Sequence, residues 1–204
     1  GGNYGIALWS FNEDHQLEIA DYFLSWGWTS PQYENIKPIA ALTAIGKQYR
    51  RQKNGHALMV ELIIPRQSYH MWSAPIGAKQ WLNYLDSQFM FVQALSPKLQ
   101  QQLLVRLHSE DYGYNAKVRW QEQLPSIRLD DGLRSIVDLV CESRIYISTY
   151  NATTFLESMA LNFPTLIFWD ENNWEIRDDA VPFFAQLKAV GIFHETPESA
   201  AQYL

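Results

Sequence analysis

Apolar and polar positions alternate in blocks along the chain, and the blocks change character near residue 55. Residues 1–55 are aromatic-rich and irregular, with one amphipathic stretch around Glu18 to Leu24. From there the pattern is regular. Ala57-Leu58-Met59-Val60-Glu61-Leu62-Ile63-Ile64 is an almost continuous apolar run ending at Pro65, the pattern of a strand buried on both faces. Residues 78–103 hold one or two helices, with Pro97 as a break or a first-turn residue. Leu103 to Leu107 forms a second short strand, and Val118 and Ile127 mark two weaker strand candidates. Asp131 to Glu142 reads as a helix with Leu133, Ile136, Val137 and Val140 on one face. Arg144 to Ser148 is a strand, followed by the helix of STYNATTFLESMALNFP, Ser148 to Pro164. Pro164 to Trp169 is the next strand, a polar loop leads to a helix around Asp179–Ala189, and Gly191 to His194 is a last short strand. Thr196-Pro197-Glu198 then opens a helix with a cap and a proline at its first position.

Short apolar strands alternating with helices predict repeated βαβ units, hence an α/β, Rossmann-like three-layer sandwich with a mostly parallel sheet over residues 56–204. Residues 1–55 read as a linker or interdomain segment packed on that domain. In such sheets ligands bind beyond the carboxyl ends of the strands. Four segments there are polar where the preceding strand is apolar: Pro65 to His70, His108 to Asp111, Ser148 to Thr154, and Asp170 to Arg177.

Composition narrows the chemistry. The 204 residues suffice for a substantial core, and 47% hydrophobic with 19% charged is a globular balance. The net charge of −6 and the absence of a basic stripe argue against nucleic-acid binding; Arg50-Arg51-Gln52-Lys53 reads as a solvated cluster. The single Cys141 excludes an internal disulfide and a multi-cysteine metal site, and reads as a small buried apolar residue. No run is long enough to span a membrane and no signal peptide is visible, which fits a reducing cytoplasmic location and is compatible with peripheral association at the inner face of the membrane. Eight Trp, eleven Tyr and ten Phe are many for this length; such rings line sugar and nucleotide sites but mostly pack cores. The chain opens on Gly1-Gly2-Asn3-Tyr4-Gly5 and stops at Gln202-Tyr203-Leu204 inside an expected helix, so it reads as a piece of a longer protein.

The stretch after the fourth strand supports two readings. Thr154-Phe155-Leu156-Glu157 is a capping-box pattern ahead of an apolar run. Alternatively, a helix starting near Asn151 or Ala152 leaves first-turn N–H groups free for a phosphate, with hydroxyls from Ser148, Thr149, Thr153 and Thr154. Thr154 and Glu157 share a helix face, and a carboxylate one turn in can accept from the hydroxyls of a ribose.

The spacing of Ser148, Asn151, Thr154, Glu157, Asn162 and Pro164 resembles the nucleotide-binding motif of GT-B glycosyltransferases, among them the bacterial enzyme that adds N-acetylglucosamine to the lipid-linked muramyl precursor. Asn151 and Asn162 stand where that pattern has glycine; asparagine is the next most tolerant residue of left-handed turns. The resemblance implies that Thr154 and its turn contact donor phosphates and that Glu157 holds the ribose. Leu104-Val105-Arg106-Leu107-His108-Ser109 resembles the strand-then-His-Pro motif of bacterial transferases that use CMP-sugars or CDP-glycerol, with Ser109 in place of proline. It implies a phosphate-binding role for His108 beside Arg106, and tilts the donor towards cytidine. The whole chain, through Asp21 to Trp28 and the Trp174-Glu175-Ile176-Arg177 segment, resembles a group of bacterial surface-polysaccharide transferases of the leptospiral type. That implies one half of a GT-B fold. The missing N-terminal domain would bring the saccharide or lipid-linked acceptor, and Gly1-Gly2 would sit in the interdomain cleft; Asp14-His15 reads as an exposed helix start. By the same resemblance Arg177 pairs with an anionic group of the donor, and Glu171 and Asn172 take sugar hydroxyls. Arg66 and His70 form a third candidate set. No cofactor and no essential metal are expected; the nucleotide-activated sugar is a substrate. The alternatives are a nucleotide-sugar epimerase of GT-B architecture and a non-catalytic interaction domain that retains the fold.

Overall fold

The computed structural model describes residues 3–67, 76–77 and 79–204. Gly1, Gly2 and His70 lie outside the described residues.

Helix α1 (Phe11–Ile19), strands β1 (Phe23–Ser25) and β2 (Ile36–Pro38) and a short 3₁₀ turn at Leu42–Ala44 make up the first part of the chain. The regular part follows: β3 (His56–Val60), α2 (Lys79–Ala94), α3 (Pro97–Gln101), β4 (Leu103–Arg106), α4 (Ala116–Gln123), β5 (Arg128–Asp130), α5 (Ile136–Cys141), β6 (Ser143–Ser148), α6 (Thr153–Ala160), β7 (Thr165–Phe168), α7 (Val181–Ala189), β8 (Phe193–His194) and α8 (Pro197–Tyr203). Strands β3 to β8 form one six-stranded parallel sheet in the order β5-β4-β3-β6-β7-β8. This is the doubly wound order, with its reversal between β3 and β6. Right-handed crossovers put α2 and α4 on one face and α5, α6 and α7 on the other. Helix α8 packs against α2 and joins the first face.

The core follows from the strand pattern. Ala57, Leu58, Met59, Leu103, Val105, Tyr146, Ile147 and Ile167 are buried along the middle of the sheet, with Trp81, Phe91 and Trp120 over one face and Phe155 and Phe184 over the other. Phe91 stacks on Phe168 with ring centroids 4.8 Å apart.

Several elements differ from the pattern reading, each for a local reason. Val118 lies in α4, not in a strand. The Asp111 carboxylate accepts from the N–H groups of Gly113, Asn115 and Ala116, which organises the helix start, and Trp120 supplies the buried anchor. Helix α5 begins only at Ile136 and buries Leu139 and Val140, so Leu133 is exposed. The turn before it is pinned by Gly132, at φ +80°, where an added Cβ would fall 2.5 Å from the Ser109 nitrogen. Cys141 is half-buried at the end of α5. The amphipathic stretch at Glu18 to Leu24 is split: Asn35 donates to the carbonyls of Leu17 and Ala20 and ends α1, and Phe23 to Ser25 then pairs with β2. Pro97 and Thr196 behave as read, with Pro97 opening α3 and the Thr196 hydroxyl accepting from Ser199 N–H at the start of α8.

The first part of the chain is fastened to the loop after β7. Arg177 donates to Glu13 at 2.8 Å and to the Ala7 carbonyl, its ring neighbour is Trp28, and its backbone N–H reaches the Ile6 carbonyl. Glu13 is fully buried and also accepts from Gly5 N–H. Burial pushes its pKa up, against the pull of Arg177 and the Gly5 N–H. Removing one partner of such a pair strands the other charge. Glu13→Ala is expected to cost about 3 kcal/mol, seen as a fall in thermal midpoint of about 6–12 °C for a chain of this size. Glu13→Ala combined with Arg177→Met should lose clearly less than the sum of the single variants.

Candidate functional site

The carboxyl ends of the strands form one edge of the molecule. The registers set Asp130, Arg106, Val60, Ser148 and Ile167 side by side in one row. In-register neighbours of a parallel sheet point to the same face, here the α6 face. Thr149 and Phe168, one residue further, turn to the α2 face.

Strand β3 stops at Val60, four residues before the end of its apolar run, because β4 and β6 end at the same level. Side chains then take over the backbone. Leu62 N–H donates to the Tyr84 hydroxyl at 2.7 Å, Tyr84 bonds to Thr149 Oγ1 at 2.6 Å, and Thr149 donates to the Val60 carbonyl at 2.8 Å. Trp81 Nε1 donates to the Leu62 carbonyl at 3.1 Å. The Thr149 hydroxyl is thus part of the scaffold at the crevice between β3 and β6. Ser148, in the same turn, donates to the Tyr150 carbonyl at 3.0 Å.

Helix α6 begins at Thr153. The position ahead of it is Ala152, which provides no side-chain cap, so Thr154 lies inside the helix and the capping box is not formed. First-turn N–H groups are left without a side-chain acceptor, at the positive end of the helix. Asn151 is buried, and neither its Oδ1 nor its Nδ2 has a partner. The Tyr146 hydroxyl is buried beside Ser148 and Thr154 without a well-formed hydrogen bond, and burial pushes its pKa well up. Thr153, Thr154 and Glu157 are half-buried, and among the described residues Glu157 forms no side-chain hydrogen bond or ion pair. Its neighbours are tyrosines: its charge raises the pKa of Tyr49 and Tyr146, after burial in both cases. Asn162 adopts the left-handed conformation at φ 53°, as its glycine-like position suggests; Asn151 does not.

Arg106 is half-buried and bonded to Asp130 at 3.3 Å and to the Gly132 carbonyl at 3.1 Å. Its charge lowers the pKa of Tyr150, which burial nevertheless sets at about 12. His108 is exposed just beyond. Its Nδ1 accepts from Glu110 N–H at 3.0 Å, which leaves the proton of the neutral ring on Nε2. Arg177 is tied to Glu13, as above. Glu171 and Asn172 are exposed at a tip organised by Asp170, whose carboxylate accepts from Asn172 N–H and Nδ2. Arg66 is exposed and donates to the Gly113 carbonyl. The edge therefore brings together Arg106, Tyr150, the turn at Asn151 and the start of α6. Among the described residues no group of three or more His, Cys, Asp and Glu side chains is placed to hold a metal ion, and no helix is long and apolar enough to cross a membrane.

The pattern reading passes over Glu61. It sits at the end of β3, 4% exposed, and accepts from Trp120 Nε1 at 2.6 Å while its other oxygen has no partner. Burial raises its pKa to about 8. The signal was a lone glutamate inside an apolar run. Because the folded pKa lies above the unfolded one, the folded state holds the extra proton and stability is fully present below about pH 4.5. It is then lost as pH rises through about 8. The thermal midpoint should fall by several degrees between pH 5.5 and 8.5. Glu61→Gln, which still accepts from Trp120 and cannot ionise, should flatten that slope.

No curated protein matches the chain. A family model described as LIC12162 family transferase matches residues 1–204. A doubly wound parallel sheet with an uncapped helix start at the carboxyl edge is an architecture suited to holding a substrate for group transfer. With the match spanning the full length of the sequence, the chain belongs to the LIC12162 family transferases.

Proposed function

We propose that the protein is the donor-binding half of a GT-B glycosyltransferase, taking a sugar from a nucleotide-activated donor in bacterial cell-surface polysaccharide assembly. The observation that carries this reading is the start of α6. A helix N-terminus at the carboxyl edge of β6 has no side-chain cap, the buried Asn151 amide beside it has no partner, and the Glu157 carboxylate one turn in is uncommitted. Helices α1, α5 and α7 also begin without a side-chain cap, so what sets α6 apart is the unpartnered buried amide at its turn together with Glu157.

In this reading the donor phosphates lie against the first-turn N–H groups of α6, with the Thr153 and Thr154 hydroxyls as further donors. Asn151 Nδ2 can donate to a phosphate oxygen, and Glu157 accepts from the ribose hydroxyls. As the sugar–phosphate bond breaks, charge develops on the leaving phosphate, and fixed N–H dipoles stabilise it without reorganising. Arg106, ion-paired with Asp130, stands on the same side of the sheet. His108, with its proton on Nε2, can donate to a phosphate oxygen from the β4 loop. Ser148 and Thr149 shape the turn, since their hydroxyls already have partners. Arg177 acts as an anchor for the first part of the chain, and Glu171 and Asn172 extend towards the sugar. The motif at Leu104 to Ser109 favours a cytidine donor. A saccharide or lipid-linked acceptor, and the group that deprotonates it, would come from a further domain, at the cytoplasmic face of the membrane.

Calorimetric titration with CMP, CDP and UDP tests the reading. Saturable binding is expected, strongest for a cytidine nucleotide. Glu157→Ala should weaken it about tenfold, corresponding to about 1.4 kcal/mol of lost binding, with little change in thermal midpoint because Glu157 holds no internal bond. Absence of saturable binding, or affinity indifferent to Glu157→Ala, would sink it.

A further inference from the structure

A cavity of about 210 Å³ lies on the other face of the sheet, between α2, the ends of β6 and β7, and the start of α8. Tyr84 and Trp174, whose rings meet edge-on at 5.5 Å, give it aromatic walls. Gln88 from the middle of α2 also lines it. This glutamine is fully buried, and neither its Nε2 nor its Oε1 has a hydrogen-bond partner. Trp169 also lines the cavity, with its ring packed on the far side against Phe155, Phe184 and Phe193. A buried amide with both groups unmet is costly to keep and calls for something to meet it. Leucine would fill the position without that cost.

The lining also indicates the class of ligand. No Lys, Arg or His lines the cavity among the described residues, and Asp170 and Glu195 stand at it. That opposes a phosphate or another anion. The volume is below that of pockets for drug-sized ligands and corresponds to about seven waters at liquid density, too little for a nucleotide. An amide that offers one donor and one acceptor side by side suits adjacent hydroxyls, which both give and take hydrogen bonds. Asp170 already accepts from Asn172 and Glu195 is paired with Lys188, but each carboxylate has a second oxygen that can accept a hydrogen bond from a hydroxyl, and an aromatic wall suits the apolar C–H face of a ring.

We infer that this cavity is a binding site for a single uncharged sugar ring, with Gln88 as its central hydrogen-bonding residue. The ring can come from two sources: the sugar of a nucleotide-activated donor, or a free or acceptor saccharide. The second does not depend on the role proposed for α6.

The test follows the side-chain amide of Gln88 by NMR in the protein. It is titrated separately with neutral hexoses and N-acetylhexosamines, with CMP and UDP, and with their sugar conjugates. Saturable shifts of the Gln88 amide resonances with a free monosaccharide support the site and a saccharide source. Shifts with a sugar conjugate but not with the bare nucleotide support the site and a donor source. Gln88→Leu should weaken the binding at least tenfold and leave the thermal midpoint unchanged or higher, since an apolar side chain suits the buried position better than an unmet amide. Glu157→Ala should leave the free-sugar arm unchanged even if it abolishes nucleotide binding. No shift with any sugar, so that the cavity holds only water, would overturn the inference. So would equal shifts with the bare nucleotides.

Discussion

Past Val60 the central strand has no neighbouring strands left, yet its backbone is still buried, and buried N–H and C=O groups have to be paired. Tyr84, Thr149 and Trp81 do this, through bonds that join the start of the β3 loop to α2 and to the end of β6. One helix and two strands are fixed to one another at the point where the sheet reverses direction. Everything placed at the carboxyl edge, from the turn at Asn151 to the loop after β7, is positioned relative to this joint. Thr149 serves the joint from one end of a turn whose other end opens α6, so the scaffold and the proposed phosphate site share five consecutive residues, Thr149 to Thr153.

Polar groups in this protein divide by location. Along the joint they are paired. Elsewhere pairing is mixed: Arg106, Ser148 and Asp170 have partners, while Gln88, Tyr146, Asn151 and one oxygen of Glu61 are buried without them, as are Ser10 and Arg144 away from this edge. Each costs stability, and the two buried amides, Gln88 and Asn151, are the groups a ligand would most readily satisfy. The two faces differ in kind. The α6 side joins a helix N-terminus to a cationic arginine and an uncommitted carboxylate. The α2 side is aromatic, amide-lined and acidic at Asp170 and Glu195. One suits charge, the other hydroxyls.

The first part of the chain is held by a different device. Glu13 is buried with its charge against Arg177, and desolvation still raises its pKa, so the pair specifies where the segment docks more than it stabilises the fold. Arg177 was legible as a cation after a strand, but not as the anchor for a residue 164 positions earlier. Likewise the asparagine-capped end of α1 needed Asn35, which the local pattern around Glu18 did not include. Val118 could not be assigned from its own neighbours, because the Asp111 carboxylate and the burial of Trp120 decide that segment.

The order of strands and helices, the parallel sheet and the strand ends worth examining were determined by the sequence itself, because apolar runs, prolines and caps act within a few residues of where they stand. Ser148 to Pro164 already contained the pattern of a polar turn leading into a helix. Only the tertiary structure decided which of its groups are free. Whether Thr149 or Asn151 is available depends on Tyr84 and the Val60 carbonyl, and whether Gln88 is paired depends on what β6, β7 and α8 place around it. Hydrogen-bond satisfaction and desolvation are sums over neighbours distant in the chain, and local periodicity does not carry that information.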